Sequence, residues 1–120
     1  RTLRYSGGGH PPALVLDPGS SVITELPSDA VPVGIQTEVD FQAHSFAVPP
    51  GADILIYSDG AFELNLIDGG QGSLAEFIEL YTRTAESPGW TLNSLITELQ
   101  NRSEAGLFDD HCTLVRLSIP

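Results

Sequence analysis

The sequence is poor in positive charge. Its 120 residues contain no lysine and five arginines against sixteen acidic residues, which gives a formal net charge of −11. Nucleic-acid phosphates and anionic membrane surfaces repel such a chain, so neither is an expected partner. The acidity suits a cation site or a basic partner, although a solvated acidic surface is the commoner origin of such a charge.

Cysteine and long apolar runs are also scarce. The single cysteine, Cys112, excludes an internal disulfide and is compatible with a reducing cytoplasm, where we expect the protein to lie. No apolar stretch approaches the ~20 residues of a membrane span, so we expect no membrane contact from this segment. Apolar residues make up 41% and charged residues 18%, which is typical of a folded domain.

The first two-thirds of the sequence has the pattern of β-structure broken by turn residues. Strands are predicted at residues 1–6, 13–16, 22–26, 39–48 and 53–58. In the fourth of these strands, Val39, Phe41 and Ala43 are expected to share one face with Ser45. The fifth strand is apolar on both faces, which is typical of a central strand covered on both sides.

The last third changes to a helical period. Ser73 and Glu76 have the spacing of a capping box at the start of one helix, and Thr91 can cap a second helix. A final strand is predicted at 111–119. The order along the chain is thus several strands, two helices and one strand. This order predicts an α+β fold whose helices cover one face of a mostly antiparallel sheet.

Two acidic positions are candidates for a metal site. Asp59 directly follows the apolar fifth strand and precedes Gly60, and Asp109 with Asp110 precedes the last strand. A carboxylate at the end of a buried strand is held rigidly, and a hard divalent cation would offset the cost of its desolvation. The alternatives are a simple Asp-Gly turn and an exposed acidic loop. His111 is expected to face solvent rather than a metal.

The segment 6–12 contains three glycines followed by His-Pro-Pro. The glycines allow close backbone approach to a ligand, but the segment lacks the Gly-Lys-Ser/Thr continuation of a nucleotide-binding P-loop. A triad of Ser6, His10 and Asp17 lacks the nucleophile-elbow pattern, so we reject it.

Four segments occur in an order that resembles a known family. They are Ser-Gly-Gly-Gly-His-Pro-Pro-Ala-Leu at 6–14, Pro-Val-Gly at 32–34, Pro-Gly-Ala-Asp-Ile-Leu-Ile-Tyr-Ser-Asp-Gly at 50–60 with Glu63, and Asp-Asp-His-Cys-Thr-Leu-Val at 109–115. Together they resemble the SpoIIE/RsbU-like branch of the PPM (type 2C) protein phosphatases. The departures are Ser-Gly-Gly where the family has Asn-Ala, and one extra alanine before Asp53.

The resemblance implies a fold and a place in the domain. The fold would be part of a two-sheet antiparallel β-sandwich flanked by helices, an αββα arrangement. Residues 1–120 would be the C-terminal portion of a single phosphatase domain whose N-terminal part is missing. A sensor or receiver domain would lie upstream in the parent chain.

The implied activity is hydrolysis of phosphoserine or phosphothreonine on a bacterial regulatory protein of the anti-anti-sigma (STAS) type. Two Mn²⁺ or Mg²⁺ ions in the complete domain would activate the attacking water. By position, Asp59 and Asp109 match metal-binding and catalytic aspartates of the family, whereas Asp110 matches no direct ligand. The His10 segment would be a structural loop. Another metal-binding aspartate of the family has no counterpart here, so the chain alone is not expected to hold the complete site.

Two alternatives belong to other functional classes. One is a non-catalytic, phosphatase-like regulatory module that binds a partner protein, against which the presence of both Asp59 and Asp109 argues. The other is an acidic α+β domain without a metal.

Overall fold

The structure is a computed structural model that describes all residues from 1 to 120. The strands are β1 Thr2–Tyr5, β2 Ala13–Asp17, β3 Val22–Leu26, β4 His44–Ala47, β5 Asp53–Tyr57 and β6 Leu114–Ser118. The α-helices are α1 Leu74–Ala85 and α2 Leu92–Arg102, and single 3₁₀ turns cover Asp59–Ala61 and Glu104–Gly106. Two antiparallel sheets and two helices confirm the predicted α+β class.

The strands form a two-stranded and a four-stranded sheet. β1 pairs with β4, and the larger sheet has the order β3-β2-β5-β6. β2 and β3 form an antiparallel hairpin, with Ala13 opposite Leu26 and Asp17 opposite Val22. β5 lies inside the larger sheet, as its apolar sequence predicts, and four of its five residues are buried.

The chain divides into two compact units. The first comprises residues 1–56 with 116–120, and the second comprises residues 57–115. In the first unit, Val15, Leu26 and Ile54 of the larger sheet form a buried cluster against which Leu3 and Phe46 of the smaller sheet pack. The first unit therefore contains a two-sheet sandwich with an apolar interior.

The fourth strand is shorter than predicted. Strand β4 covers only four residues, because its partner β1 offers four residues from Thr2, opposite Ala47, to Tyr5, opposite His44. The N–H and C=O groups of a strand need the backbone of a partner strand. No strand pairs with residues 39–43, so they do not extend β4. Phe46 packs into the core, whereas Phe41 is 42% exposed. The face that carries Phe46 is therefore directed to the core.

The helices of the second unit begin where the capping residues predict. Ser73 Oγ accepts a hydrogen bond from the N–H of Glu76 at 3.2 Å, which is one half of the predicted capping box. At α2, Thr91 Oγ1 accepts from the N–H of Ser94 at 3.1 Å, and Ser94 Oγ accepts from the N–H of Thr91 at 2.9 Å. Two orphan donors at the start of α2 are thus satisfied reciprocally.

Aromatic side chains form part of the core of the second unit, together with leucines of both helices. Tyr57 is 1% exposed, and its ring centroid lies 4.7 Å from that of Phe77 on α1. Tyr81, one turn further along α1, is fully buried against Trp90 with 5.4 Å between the ring centroids. Aromatic contacts of this kind stabilise the packing of α1 by more than the burial of apolar area alone.

Neither helix has the length and hydrophobicity that a membrane crossing requires.

Asp53 is a buried carboxylate in the first unit. Its Oδ2 accepts from a guanidinium nitrogen of Arg116 at 2.7 Å, and its Oδ1 accepts from the hydroxyl of Ser118 at 2.6 Å. Burial by itself favours the neutral acid, but these two hydrogen bonds and the charge of Arg116 outweigh it and lower the pKa of Asp53. The carboxylate therefore stabilises the folded state at neutral pH and binds β6 to β5.

We expect Asp53→Asn to lower the free energy of unfolding by about 2–3 kcal/mol at pH 7, because it removes the buried negative charge that pairs with Arg116. Since the pKa of Asp53 is lower in the folded state, the carboxylate stabilises the fold above the unfolded pKa of about 3.9. This stabilisation is lost as the pH falls through the lower, folded-state pKa. Urea titrations at pH 7 and below pH ~4 measure both effects.

The matched control for this prediction is Asp29→Asn, since Asp29 pairs with His44 at the surface. It should change the urea midpoint little. Equal effects of the two substitutions would contradict a structural role for the Asp53 network.

Candidate functional site

Asp59 stands at the exit of the buried strand β5. The chain leaves β5 after Tyr57 and enters the 3₁₀ turn Asp59–Ala61. The carbonyl oxygen of Asp59 accepts from the N–H groups of Phe62 and Glu63 at 3.0 and 2.9 Å, and Ala61 is fully buried. The backbone of Asp59 is therefore fixed, whereas its side chain is exposed and accepts no hydrogen bond from the protein.

Ser58 joins this exit to the segment that leads into β6. Its N–H donates to the carbonyl oxygen of Thr113 at 3.0 Å. Its hydroxyl donates to the carbonyl oxygen of His111 at 2.9 Å and accepts from the N–H of Thr113 at 2.9 Å. A side-chain hydroxyl, and not a partner strand, thus bonds to the His111 carbonyl and the Thr113 N–H, and β6 begins at Leu114 and not at His111 as predicted.

Gly60 brings the same two segments into backbone contact. A Cβ placed on Gly60 would overlap the carbonyl oxygen of His111 and lie 2.8 Å from its carbonyl carbon. It would also lie 3.3 Å from the carbonyl oxygen of Asp110. Only a residue without a side chain allows this approach, so the glycine of the Asp-Gly pair has a steric function here.

Asp109 is oriented by a single residue, Asn65. Oδ2 of Asp109 accepts from the backbone N–H of Asn65 at 2.7 Å, and Oδ1 accepts from the Asn65 side-chain amide at 3.0 Å. Asp109 is itself exposed. Ser58 before Asp59 and Asn65 after it both bond to the segment 109–113, so the structure brings the two predicted segments together.

The neighbours of Asp109 are engaged differently. Oδ1 of Asp110 accepts from the N–H of His111 at 2.7 Å, which is a local turn contact, and His111 is exposed as predicted. Burial raises the pKa of the Cys112 thiol, so this residue is a poor candidate for a thiolate ligand.

The donor types fit a hard divalent cation. Asp59 and Asp109 offer carboxylate oxygens on adjoining segments, and Mg²⁺ commonly binds through one or two carboxylates with waters in its remaining positions. The structure contains no group of three or more His, Cys, Asp or Glu side chains arranged for an ion.

The glycine-rich segment 6–12 packs against its own unit. A Cβ on Gly7 would overlap Ser28, and one on Gly9 would lie 2.6 Å from the Cα of Pro32. These glycines thus allow the backbone to lie close to the loop 27–34, whereas the sequence suggested a close approach to a ligand. The Nδ1 atom of His10 lies 2.9 Å from the carbonyl oxygen of Pro11, which is a contact within the loop.

The Asp17 carboxylate has turn partners and not a catalytic histidine. It accepts from the N–H of Gly19 at 2.9 Å and from the hydroxyl of Ser20 at 2.8 Å. These bonds lower the pKa of Asp17 and close the β2–β3 turn. They agree with the rejection of a triad from the sequence.

Comparison with known proteins identifies a family. The family model described as Stage II sporulation protein E (SpoIIE) matches residues 1–118. The chain belongs to the SpoIIE family. Membership confirms the resemblance found in the sequence, and it supports a phosphatase-type function. A search of the curated proteins finds no match.

Two solved structures have a similar fold. One contains the RsbU and RsbW domains of Rv1364c from Mycobacterium tuberculosis, with a TM-score of 0.75 and 24% identity over 98% of this chain. The other contains the PP2C phosphatase domain and a regulatory fragment of SpoIIE from Bacillus subtilis, with a TM-score of 0.74 and 18% identity over 98% of this chain. This SpoIIE-family chain covers 33% and 34% of those chains, respectively.

These similarities concern the fold and not the limits of the domain. A PP2C-type α+β fold is confirmed. The interpretation of residues 1–120 as the C-terminal portion of one domain stays a prediction, as do Asp59 and Asp109 as metal ligands.

Sequence analysis missed the functions of Ser58 and Asn65. Ser58 precedes Asp59 in a recognisable motif, but its hydrogen bonds reach 53 and 55 residues along the chain. Asn65 lies 44 residues from Asp109, and no local pattern marks it. Contacts of this range are set by tertiary structure and not by periodicity.

We expect Gly60→Ala to separate the two segments, because the new methyl group would overlap the His111 backbone, which is held by Ser58. The free energy of unfolding should fall by about 2 kcal/mol or more. Gly70→Ala is the matched control, since its Cβ would make ordinary contacts, the nearest at 3.4 Å. Thermal unfolding of both variants measures the difference, and equal melting temperatures would contradict the close approach at Gly60.

Proposed function

We propose that this SpoIIE-family chain contributes metal ligands to a protein phosphatase that hydrolyses phosphoserine or phosphothreonine. The observation that carries the proposal is the bracketing of Asp59: Ser58 and Asn65, on either side of it, both bond to the segment that contains Asp109. The likeness to a PP2C phosphatase domain supports it further.

The proposed cofactors are Mn²⁺ or Mg²⁺ ions, with Asp59 and Asp109 as the ligands from this chain. When bound, such ions lower the pKa of a coordinated water and stabilise charge on the phosphoryl group. The 3₁₀ turn fixes the backbone of Asp59, and two hydrogen bonds to Asn65 orient the carboxylate of Asp109. The chain thus supplies one oriented carboxylate and one exposed carboxylate that accepts no hydrogen bond from the protein.

The proposed substrate is a phosphorylated regulatory protein of the anti-anti-sigma type, and the proposed location is the cytoplasm. One similar structure combines RsbU and RsbW domains, which agrees with a regulatory partner. The net charge of −11 disfavours a strongly acidic partner surface and favours one with basic residues around the phosphorylated side chain.

We expect Asp59→Asn and Asp109→Asn each to lower kcat/KM by about 100-fold or more, because each removes a carboxylate that would hold a catalytic ion. The assay is Mn²⁺-dependent hydrolysis of p-nitrophenyl phosphate and of a phosphoserine peptide by the full-length protein. Asp68→Asn is the matched control, since Asp68 is an exposed loop carboxylate whose one bond, 3.1 Å long, goes to its neighbour Gly70.

Metal-independent hydrolysis, or hydrolysis that survives both substitutions, would contradict this function. The second candidate is a regulatory module that binds a partner without turnover. Binding of the phosphorylated partner, with no phosphate released in the presence of Mn²⁺, would identify that alternative.

A further inference from the structure

Asn65 makes an unusual pair of contacts with one carboxylate. Its backbone N–H and its side-chain amide donate to different oxygens of Asp109, at 2.7 and 3.0 Å. Two donors on two oxygens fix both the position of the carboxylate and its rotation about the Cβ–Cγ bond. Each oxygen keeps a lone pair for a further partner.

The backbone of Asn65 is itself held on several sides. Its carbonyl oxygen accepts from the N–H of Glu104 at 2.8 Å, and it forms an isolated β-bridge with Gln71. Leu64, the preceding residue, is 2% exposed, which anchors the chain in the core of the second unit. The donor pair is therefore presented by a rigid backbone although Asn65 lies at the surface.

We propose that Asn65 is a positioning residue that presets the Asp109 carboxylate for a divalent cation. This inference rests on the proposed function. The residues that orient metal ligands through hydrogen bonds commonly change metal affinity by about 10–100-fold when they are replaced. A neutral amide suits the task, because it orients the carboxylate without contributing a positive charge that would compete with the cation.

A purely structural function would make a different prediction. The backbone N–H of residue 65 persists in any non-proline variant, so the 2.7 Å bond that ties the segment to Asp109 can remain. Replacing the side chain removes only the bond to Oδ1. The carboxylate then regains rotational freedom, and this freedom should be visible in cation binding more than in folding.

The test measures Mn²⁺ binding to the full-length protein by calorimetry, independently of activity. We expect Asn65→Ala to weaken Mn²⁺ binding by about 10–100-fold. Asn65→Leu preserves the side-chain volume and serves as a second variant if the alanine variant is poorly folded. Asn93→Ala is the matched control, because Asn93 is an exposed asparagine on α2 whose side chain has no protein partner.

A double-mutant cycle shows whether Asn65 acts through Asp109. In the Asp109→Asn background, Asn65→Ala should produce little further loss of Mn²⁺ affinity, because the carboxylate that it orients is gone. In the metal-free protein, the melting temperature of Asn65→Ala should stay close to that of the wild type. For phosphopeptide hydrolysis, kcat should fall while KM stays nearly constant.

The possible outcomes separate this inference from the proposed function. If Asp109→Asn leaves Mn²⁺ binding intact, Asp109 is no ligand, and the metal function and the inference both fail. If Asp109→Asn weakens binding but Asn65→Ala and Asn65→Leu do not, the proposed function stands and the positioning function of Asn65 is overturned. Additive losses in the double mutant would also overturn it.

Discussion

The candidate site depends on the hydrogen bonds of Ser58. Its hydroxyl donates to the carbonyl oxygen of His111 and accepts from the N–H of Thr113. Its own N–H donates to the carbonyl oxygen of Thr113. Each bond contributes about 1 kcal/mol, yet together they fix which residues of the two segments lie opposite each other. A slip of one residue would move Asp109 relative to Asn65 and would bring a side chain against the backbone at Gly60.

This arrangement holds acidic residues on adjoining segments of a chain that is already strongly acidic. Asp59, Asp109 and Asp110 carry like charges, which repel one another unless solvent or a cation screens them. The bonds that hold the segments together are made by neutral groups, from a hydroxyl, backbone amides and a side-chain amide. The fold therefore orients the Asp109 carboxylate without arginine or lysine, and its negative charge stays available to a divalent cation.

Local sequence patterns predicted the features that local physics determines. The capping residues Ser73 and Thr91 and the central strand β5 lie where sequence analysis put them, because caps and apolar runs act over a few residues. The strand predicted at 39–48 was too long, since alternation cannot show where a partner strand ends. The four motifs located both acidic segments, whereas Asn65 was found only through a contact across 44 residues.

Asp53 and Asp59 lie at opposite ends of β5. The first is a structural carboxylate, and the second is a candidate metal ligand. Asp53, at the first residue of β5, is 8% exposed, and Arg116 and Ser118 occupy both its oxygens. A cation there would have to displace an internal counter-ion and a buried hydrogen bond. The side chain of Asp59, just beyond the last residue of β5, is exposed and accepts no hydrogen bond from the protein, so a cation would replace only water. The burial of Asp53 and its ion pair with Arg116 therefore disfavour it as a ligand, whereas Asp59 is exposed.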